Sequence, residues 1–471
     1  MRLSQLPGMI VRRHRRAALL AALALSFTSA CGFQPPTPAL TYSLNTPVIE
    51  KNADLAADPG AQSQLVGALE FLFGTPSGPR FLTMPEWVDE GFDPNFWGED
   101  ALKAEGHEAE WNALVASNRQ RFHEQLDAIA RGDLAAVKQP RYSDDLGRWW
   151  EELLAALPEG GPDSPYEDGT WREAAVKLFE EYYPSLATSA AFYHLQCYHC
   201  HGAEGGGNGS TSQFLEPRPR DYRPGKFKFT ALKEKARPRH EDLFRTLAEG
   251  VYTTAMPSFR RFSDAQLHGL VDYVRLLAIR GEVEILLADS FAADEGLTFD
   301  AVKENYEFVV GRWREAPDKL IVYEGEIPAE TPERIAHGRA LFMTPGEQGG
   351  ANCVSCHGPT GRGDGASAFE VDPVTQKRRR VKDDWGNEIS IRDLTRGVFR
   401  FGRRPIDLYR RIYAGINGTP MPEHIGMAIT ENGAQRTMNE VDIWDLVFFV
   451  RSMSSHAPEV AQAEHGEHQA Q

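Results

Sequence analysis

The chain carries one short pattern twice, as Cys197-Tyr198-His199-Cys200-His201 and as Cys353-Val354-Ser355-Cys356-His357. Each copy sets two cysteines two residues apart and places a histidine directly after the second cysteine. The two copies take up four of the five cysteines in 471 residues. This C-x-x-C-H spacing is the attachment signature of c-type haem.

The chemistry of a porphyrin accounts for that spacing. Two thiols two residues apart reach the two vinyl groups of one ring and form thioethers, and the adjacent histidine then lies under the ring, where a nitrogen binds the iron. The pattern therefore predicts two covalently bound haem c groups. We expect attachment at Cys197, Cys200, Cys353 and Cys356, with His201 and His357 as iron ligands.

Three other uses of paired cysteines compete with this interpretation. Zinc ribbons separate their pairs by about 15–20 residues, whereas 152 residues lie between Cys200 and Cys353. An exported chain also permits disulfides or a redox-active C-x-x-C pair. None of these alternatives explains a histidine after both second cysteines.

A methionine–proline pair follows each motif at a similar distance. Met256-Pro257 begins 55 residues after His201, and Met421-Pro422 begins 64 residues after His357. Methionine opposite histidine is a common ligand set of haem iron in electron carriers and raises the potential. A lone methionine more often fills a core, so the prediction of Met256 and Met421 as distal ligands depends on the repeat around them.

The two segments align well beyond the cysteines. Gly250 and Gly415 each lie six residues before the methionine, and the other matched stretches are 220–229 with 392–401, 242–245 with 407–410, and 270–275 with 446–451. This is duplication of a whole domain. The second copy has 35 residues between its motif histidine and the matched Arg-Asp pair, against 19 in the first. Its extra piece includes the basic run 377–380, which is either a docking spot or a solvated loop.

Residues 170–282 and 332–456, named here the first and second repeats, each resemble a class I cytochrome c domain. The resemblance covers about half of the chain and implies a dihaem c-type cytochrome with an all-α fold. It also implies a first helix leading into C-x-x-C-H and a last helix packed across it. The first helix of the second repeat is expected to begin near Gly338. In the first repeat, Ser189 stands where the family pattern has a glycine that permits close helix packing.

The last helix of each repeat is visible in the apolar spacing. Ser263 is a candidate N-cap in the first repeat. The expected buried faces are Leu267, Leu270, Val271, Val274 and Leu277 in the first repeat and Ile443, Leu446, Val447, Val450 and Met453 in the second.

Residues 1–30 have the pattern of a secretory signal, because four arginines precede the apolar run 17–27 and small residues follow it. Cys31 comes next, which predicts a lipidated N-terminus of the lipoprotein type; ordinary cleavage after Ala30, leaving a free thiol, is the alternative. No internal stretch is long and apolar enough to span a bilayer. We expect an exported protein, periplasmic or on the outer cell surface, held at the membrane by a lipid on Cys31.

The remaining segments hold no haem motif. Residues 31–169 predict a helical N-terminal region with a proline-rich tether at 34–39, and apolar stripes at 111–129 and 146–154. Residues 283–331 predict a helical connector, and 457–471 a disordered tail. Without residues 1–30, which hold five arginines and no acidic residue, the net charge changes from −16 to −21. That charge argues against nucleic acid as a partner and favours a partner with a basic face, although solubility alone explains it equally well.

Electron transfer in a respiratory chain is the leading functional hypothesis, since two filled axial positions leave no iron site open to substrate. A dihaem redox enzyme of the peroxidase or thiol dehydrogenase type is the alternative and would need one open haem; His424, three residues after Met421, is a rival ligand there. A third hypothesis is a cytochrome subunit that serves a membrane oxidase or an exported dehydrogenase. These redox proteins are the expected partners.

Overall fold

The N-terminal part of the computed structural model is helical where it is described. The structure describes residues 41–79, 184, 186–291 and 296–454. Three helices and a small hairpin come first: α1 Thr46–Ile49, α2 Ala53–Ala57, α3 Pro59–Phe73, β1 Gly74–Thr75 and β2 Gly78–Pro79. The Asp58 carboxylate accepts from the first free backbone N–H groups of α3, as an N-cap should. Cys31, the predicted signal and tether, and the stripes at 111–129 and 146–154 lie outside the described residues.

The first repeat contains four helices, followed by one more in the segment after it. They are α4 Leu186–Gln196, α5 Tyr198–His201, α6 His240–Glu249, α7 Asp264–Ser290 and α8 Phe299–Arg314. Ser263 caps α7 by accepting from Gln266 N, which confirms the predicted start. The helix continues past residue 282 to Ser290, and α8 and the 3-10 turn Ala316–Lys319 occupy the predicted connector.

The second repeat has the same order of helices with two added hairpins. Its elements are α9 Pro332–Met343, α10 Cys353–His357, β3 Phe369–Val371, β4 Arg378–Arg380, α11 Pro405–Ala414, β5 Ala428–Glu431, β6 Ala434–Thr437 and α12 Glu440–Ser452. Helix α9 begins at Pro332, earlier than the expected start near Gly338, because the Thr331 side chain caps it. The prediction of an all-α fold is confirmed. Among the described residues, no helix is both long and apolar enough to cross a membrane.

The basic run 377–380 is not a solvated loop. Arg378–Arg380 is strand β4, which pairs antiparallel with β3. Arg379 forms ion pairs with Glu370 and Asp372 of its own hairpin, both at 2.9 Å. Arg380 Nη1 lies 3.0 Å from Glu216 of the first repeat. Most of the charge of this run is therefore engaged within the chain.

The first and last helices cross closely in both repeats. In the second, a Cβ on Gly338 would lie 2.0 Å from the Asp445 carbonyl oxygen. In the first, the small residue is on the other helix, because a Cβ on Gly269 of α7 would lie 2.4 Å from Ser189 Oγ. Position 269 aligns with Asp445, so the two repeats solve the same crossing with a glycine on opposite helices. This explains how the first repeat tolerates Ser189.

Two hydrophobic cores lie in the described part of the chain. One joins α1–α3, the first repeat and α8, and the other belongs to the second repeat. All ten apolar residues predicted for the last helices are at least partly buried, and nine of them are fully buried. The segment before α1 is tied to the first repeat by buried polar contacts: Tyr42 and Tyr273 share a hydroxyl hydrogen bond of 3.1 Å, and Ser43 N donates to Glu204 at 2.9 Å. From Tyr42 onward the chain forms one compact unit.

Candidate functional site

Both motif histidines are held by a backbone carbonyl from the matched Arg-Asp pair. His201 Nδ1 lies 3.1 Å from the Arg220 oxygen, and His357 Nδ1 lies 3.2 Å from the Arg392 oxygen. A carbonyl only accepts, so Nδ1 carries the proton and Nε2 keeps its lone pair, the arrangement of a metal-binding histidine. Burial lowers the pKa of His201 to about 4 and lowers the pKa of His357. Both rings are therefore neutral at physiological pH.

The loop after each histidine is built identically. Gly202 and Gly358 take positive φ values of 76° and 74°, which glycine adopts without strain. A Cβ on either glycine would lie 2.1 Å from the side chain six residues on, Asn208 or Asp364. The sequence signal is a Gly-x-x-Gly-x-Gly-x-Gly pattern at 202–209 and 358–365, which analysis of the cysteines alone had missed.

Each motif faces its own cavity. The first cavity, about 760 Å³, is lined by Cys197, Cys200, His201 and Met256. The second, about 170 Å³, is lined by Cys353, His357, Met421 and His424. Cys356 lies on α10 between Cys353 and His357 but does not line that cavity. Each predicted methionine thus shares a cavity with the histidine of its own repeat.

The cysteines do not form the competing kinds of site. All four are free thiols, so neither pair is a disulfide. Within the described residues, no three His, Cys, Asp or Glu side chains are grouped to hold a metal ion. The two pairs instead belong to separate cavities.

The two methionine loops are held by the same hydrogen bonds. Thr254 Oγ1 donates to Val251 O at 2.7 Å and accepts from Met256 N at 3.1 Å. Thr419 does the same in the second repeat, at 2.8 and 3.3 Å. The repeat therefore extends to the backbone geometry that presents each methionine, which a chance Met-Pro match would not produce.

The two sites differ at the position three residues after the methionine. His424 is buried there in the second repeat, with Nδ1 3.1 Å from Ile412 O and Nε2 4.0 Å from Cys353 Sγ. Phe259 is buried at the matching position in the first repeat. Burial lowers the pKa of His424, so the ring is neutral and its Nε2 faces the cysteine side of the second cavity.

The donor set fits covalently bound haem. In each repeat a neutral histidine with a fixed tautomer, free thiols on the same short helix and a methionine from a hydrogen-bonded loop surround one cavity. Nitrogen and thioether are the ligands that c-type haem iron takes. The largest cavity also falls in the usual size range of small-molecule sites, about 300–1,000 Å³.

The two cavities share a wall. Seven residues line both of them: Lys228, Phe229, Ile389, Ser390, Ile391, Arg392 and Arg400. Most come from the second repeat, so its backbone completes the first cavity. Sequence reasoning had missed this wall, because no motif records which loops of two distant repeats meet.

Matching residues of the two repeats meet at this interface. The rings of Phe229 and Phe401 stack at a centroid distance of 6.2 Å and 19°. Arg245 forms a two-pronged ion pair with the buried Asp407, at 2.7 and 2.9 Å. The interface therefore uses equivalent segments of both copies.

The extra piece of the second repeat also packs on the first. Lys228 Nζ lies 2.8 Å from Asp383, and Lys226 Nζ lies 3.0 Å from Asp384. The Trp385 ring carries the Arg220 guanidinium 3.6 Å above it. The 16 residues that distinguish the second repeat thus form part of an intramolecular interface.

Comparisons with known proteins agree with this geometry. Residues 184–274 match the family described as cytochrome c oxidase, cbb3-type, subunit III, and residues 335–454 match the family described as cytochrome c. A search of the curated proteins finds no match. A solved chain of the reducing HAO-like protein complex Kustc0457/Kustc0458 of Kuenenia stuttgartiensis is 27% identical; the match covers 56% of this chain and 94% of that chain, with a TM-score of 0.40.

Proposed function

Because the chain is a dihaem c-type cytochrome, we propose that it carries electrons between redox proteins through two His/Met-ligated haems that exchange electrons across the shared wall. Its cytochrome c domains bind haem c covalently and serve electron transfer. The finer assignment of ligands, route and partners is the proposal. Haem held at each site supplies an iron that gains or loses one electron.

The chain's own residues have distinct roles in this proposal. Cys197 and Cys200 hold one porphyrin, and Cys353 and Cys356 hold the other. His201 and His357 bind iron through Nε2, with the Arg220 and Arg392 carbonyls fixing their tautomer. Met256 and Met421 complete the two coordination spheres from loops of matched geometry.

The observation that carries the proposal is the shared wall. A redox enzyme needs access for substrate to one iron, whereas a carrier needs two closed sites close together. The same donor set in both cavities supports closed sites. The seven wall residues common to both cavities support direct electron exchange inside the chain.

Location and company follow from the N-terminal sequence. An exported protein, periplasmic or on the outer cell surface, with a lipid on Cys31 would hold these haems near membrane redox proteins. A basic docking face on the partner, such as a membrane oxidase or an exported dehydrogenase, suits the acidic chain. Mass spectrometry of the mature N-terminus tests the anchor, and an unmodified Cys31 would contradict it.

Haem counting and exogenous ligands test the function itself. We expect two haems per chain by the pyridine haemochrome assay, one in the Cys197→Ser/Cys200→Ser double variant, and no binding of cyanide or carbon monoxide under mild conditions. One haem that readily binds either ligand would favour the dihaem enzyme of the peroxidase or thiol dehydrogenase type. Stable co-purification with other chains would instead identify a subunit of an oxidoreductase complex.

A further inference from the structure

Arg392 connects the two sites through its two ends. Its carbonyl oxygen lies 3.2 Å from Nδ1 of His357, the motif histidine of its own repeat. Its guanidinium Nη2 donates to Thr253 Oγ1 of the first repeat at 2.8 Å. Thr253 lies three residues before Met256, in the loop that presents that methionine. One residue thus contacts both the histidine of the second site and the methionine loop of the first.

Arg220 makes the reciprocal connection. Its carbonyl lies 3.1 Å from His201 Nδ1, and its guanidinium lies 3.6 Å above the Trp385 ring. Trp385 packs on Gly418, where an added Cβ would lie 2.2 Å from the indole. Gly418 lies three residues before Met421, the position that Thr253 holds in the first repeat. Each of these reciprocal arginines therefore extends from its own histidine towards the other repeat's methionine loop.

The wall between the cavities carries excess positive charge. Lys228, Arg392 and Arg400 line both cavities, and Arg220 lines the first. Asp383 is the carboxylate that pairs with Lys228, at 2.8 Å, and lies 3.8 Å from Arg220. Arg400 has a buried Nε with no hydrogen-bond partner in the described structure. Burial, with Arg392 and Arg220 nearby, lowers the pKa of Arg400 to about 10.

A buried cation without an anion is costly, so this wall is suited to receive negative charge from the cavities. We infer that Arg220, Arg392 and Arg400 form one anion-binding wall that takes the propionate carboxylates of both haems and couples the two haems electrostatically. The inference rests on the proposed function. It adds that the arginines of one repeat help to set the potential of the haem in the other.

The expected effect follows from charge. Positive charge near a haem favours the reduced iron, so removing it lowers the potential. At an effective dielectric constant of about 20 and a separation of about 10 Å, one charge changes the reduction equilibrium by about tenfold, or about 59 mV for a one-electron couple. Because Arg392 lines both cavities, Arg392→Gln should lower both potentials by that order.

The test is potentiometry of the full-length holoprotein, with each haem followed through its own paramagnetically shifted methyl resonances. Arg392→Lys keeps the charge and should restore most of both potentials. Arg403→Gln is the matched control, because Arg403 is exposed and lines neither cavity; it should leave both unchanged. If Arg392→Gln does not fold, Arg400→Gln gives the same test without touching a carbonyl that holds a histidine.

A shift confined to one haem, equal loss in the Lys and Gln variants, or an equal shift in the control would overturn the inference. Wild-type protein with fewer than two haems, or without methionine ligation, would instead contradict the proposed function. Intact sites with unchanged potentials in Arg392→Gln contradict the coupling alone.

Discussion

The ion pair between Arg245 and Asp407 should hold the two repeats together by a measurable amount. Burial raises the pKa of Asp407, but the hydrogen bonds and charges of Arg245 and Arg404 outweigh it and lower the pKa from 3.8 to about 2. At about 1.36 kcal/mol per pKa unit, the folded state favours the ionised form by about 2.5 kcal/mol. Arg245→Gln leaves a carboxylate whose side chain is only 1% exposed, so we expect a loss of about 2–3 kcal/mol in the free energy of unfolding.

Arg404→Gln is the matched control for this change. Arg404 contacts the same carboxylate from within the second repeat, but its side chain is 49% exposed. Exposed pairs contribute about 1 kcal/mol or less, so the control should cost clearly less. Guanidinium unfolding of the holoprotein, followed by far-ultraviolet circular dichroism, measures both variants.

The pH dependence gives a second test of the same pair. A carboxylate with a lowered pKa stabilises the folded state above its unfolded pKa and loses that effect as the pH falls through its folded pKa. The difference between wild type and Arg245→Gln should therefore be constant down to about pH 4 and shrink between about pH 4 and 2. A difference that widens in acid, or equal losses in the two glutamine variants, would refute this reasoning.

Two further substitutions follow from the differences between the repeats. Met421→Ala should leave its haem six-coordinate and low-spin, because His424 Nε2 lies in the same cavity, whereas Met256→Ala should give a five-coordinate, high-spin haem; electron paramagnetic resonance distinguishes them, and two high-spin variants would contradict the role of His424. Gly338→Ala places a Cβ 2.0 Å from the Asp445 carbonyl oxygen and should cost about 1–3 kcal/mol, measured by thermal unfolding, where an unchanged midpoint would refute the close crossing.

The local features of both repeats could be predicted from sequence. The cysteines and histidines are fixed by covalent chemistry at short spacing, and the faces of the last helices follow from apolar periodicity. The all-α fold followed from the same motifs. Ser263 as N-cap of α7 is likewise a local feature, decided by hydrogen bonds within one turn.

Contacts between distant segments could not be predicted in this way. The partner of Ser189 is Gly269, 80 residues away, and no pattern within one helix indicates which helix will carry the glycine. The wall formed by Arg392 and Arg400 depends on how two repeats meet. The basic run 377–380 had two possible roles, and its ion pairs with Glu370, Asp372 and Glu216 depend on the fold of its hairpin and on the first repeat.

The optical spectrum of the purified ferric protein, with haem counted per chain, tests the central proposal most directly. Methionine-ligated ferric haem has a weak charge-transfer band in the red, which is absent when methionine does not bind. Two haems per chain with a full band for each would support two closed His/Met sites and a carrier. Two haems with the band halved or absent would contradict the symmetric assignment of Met256 and Met421.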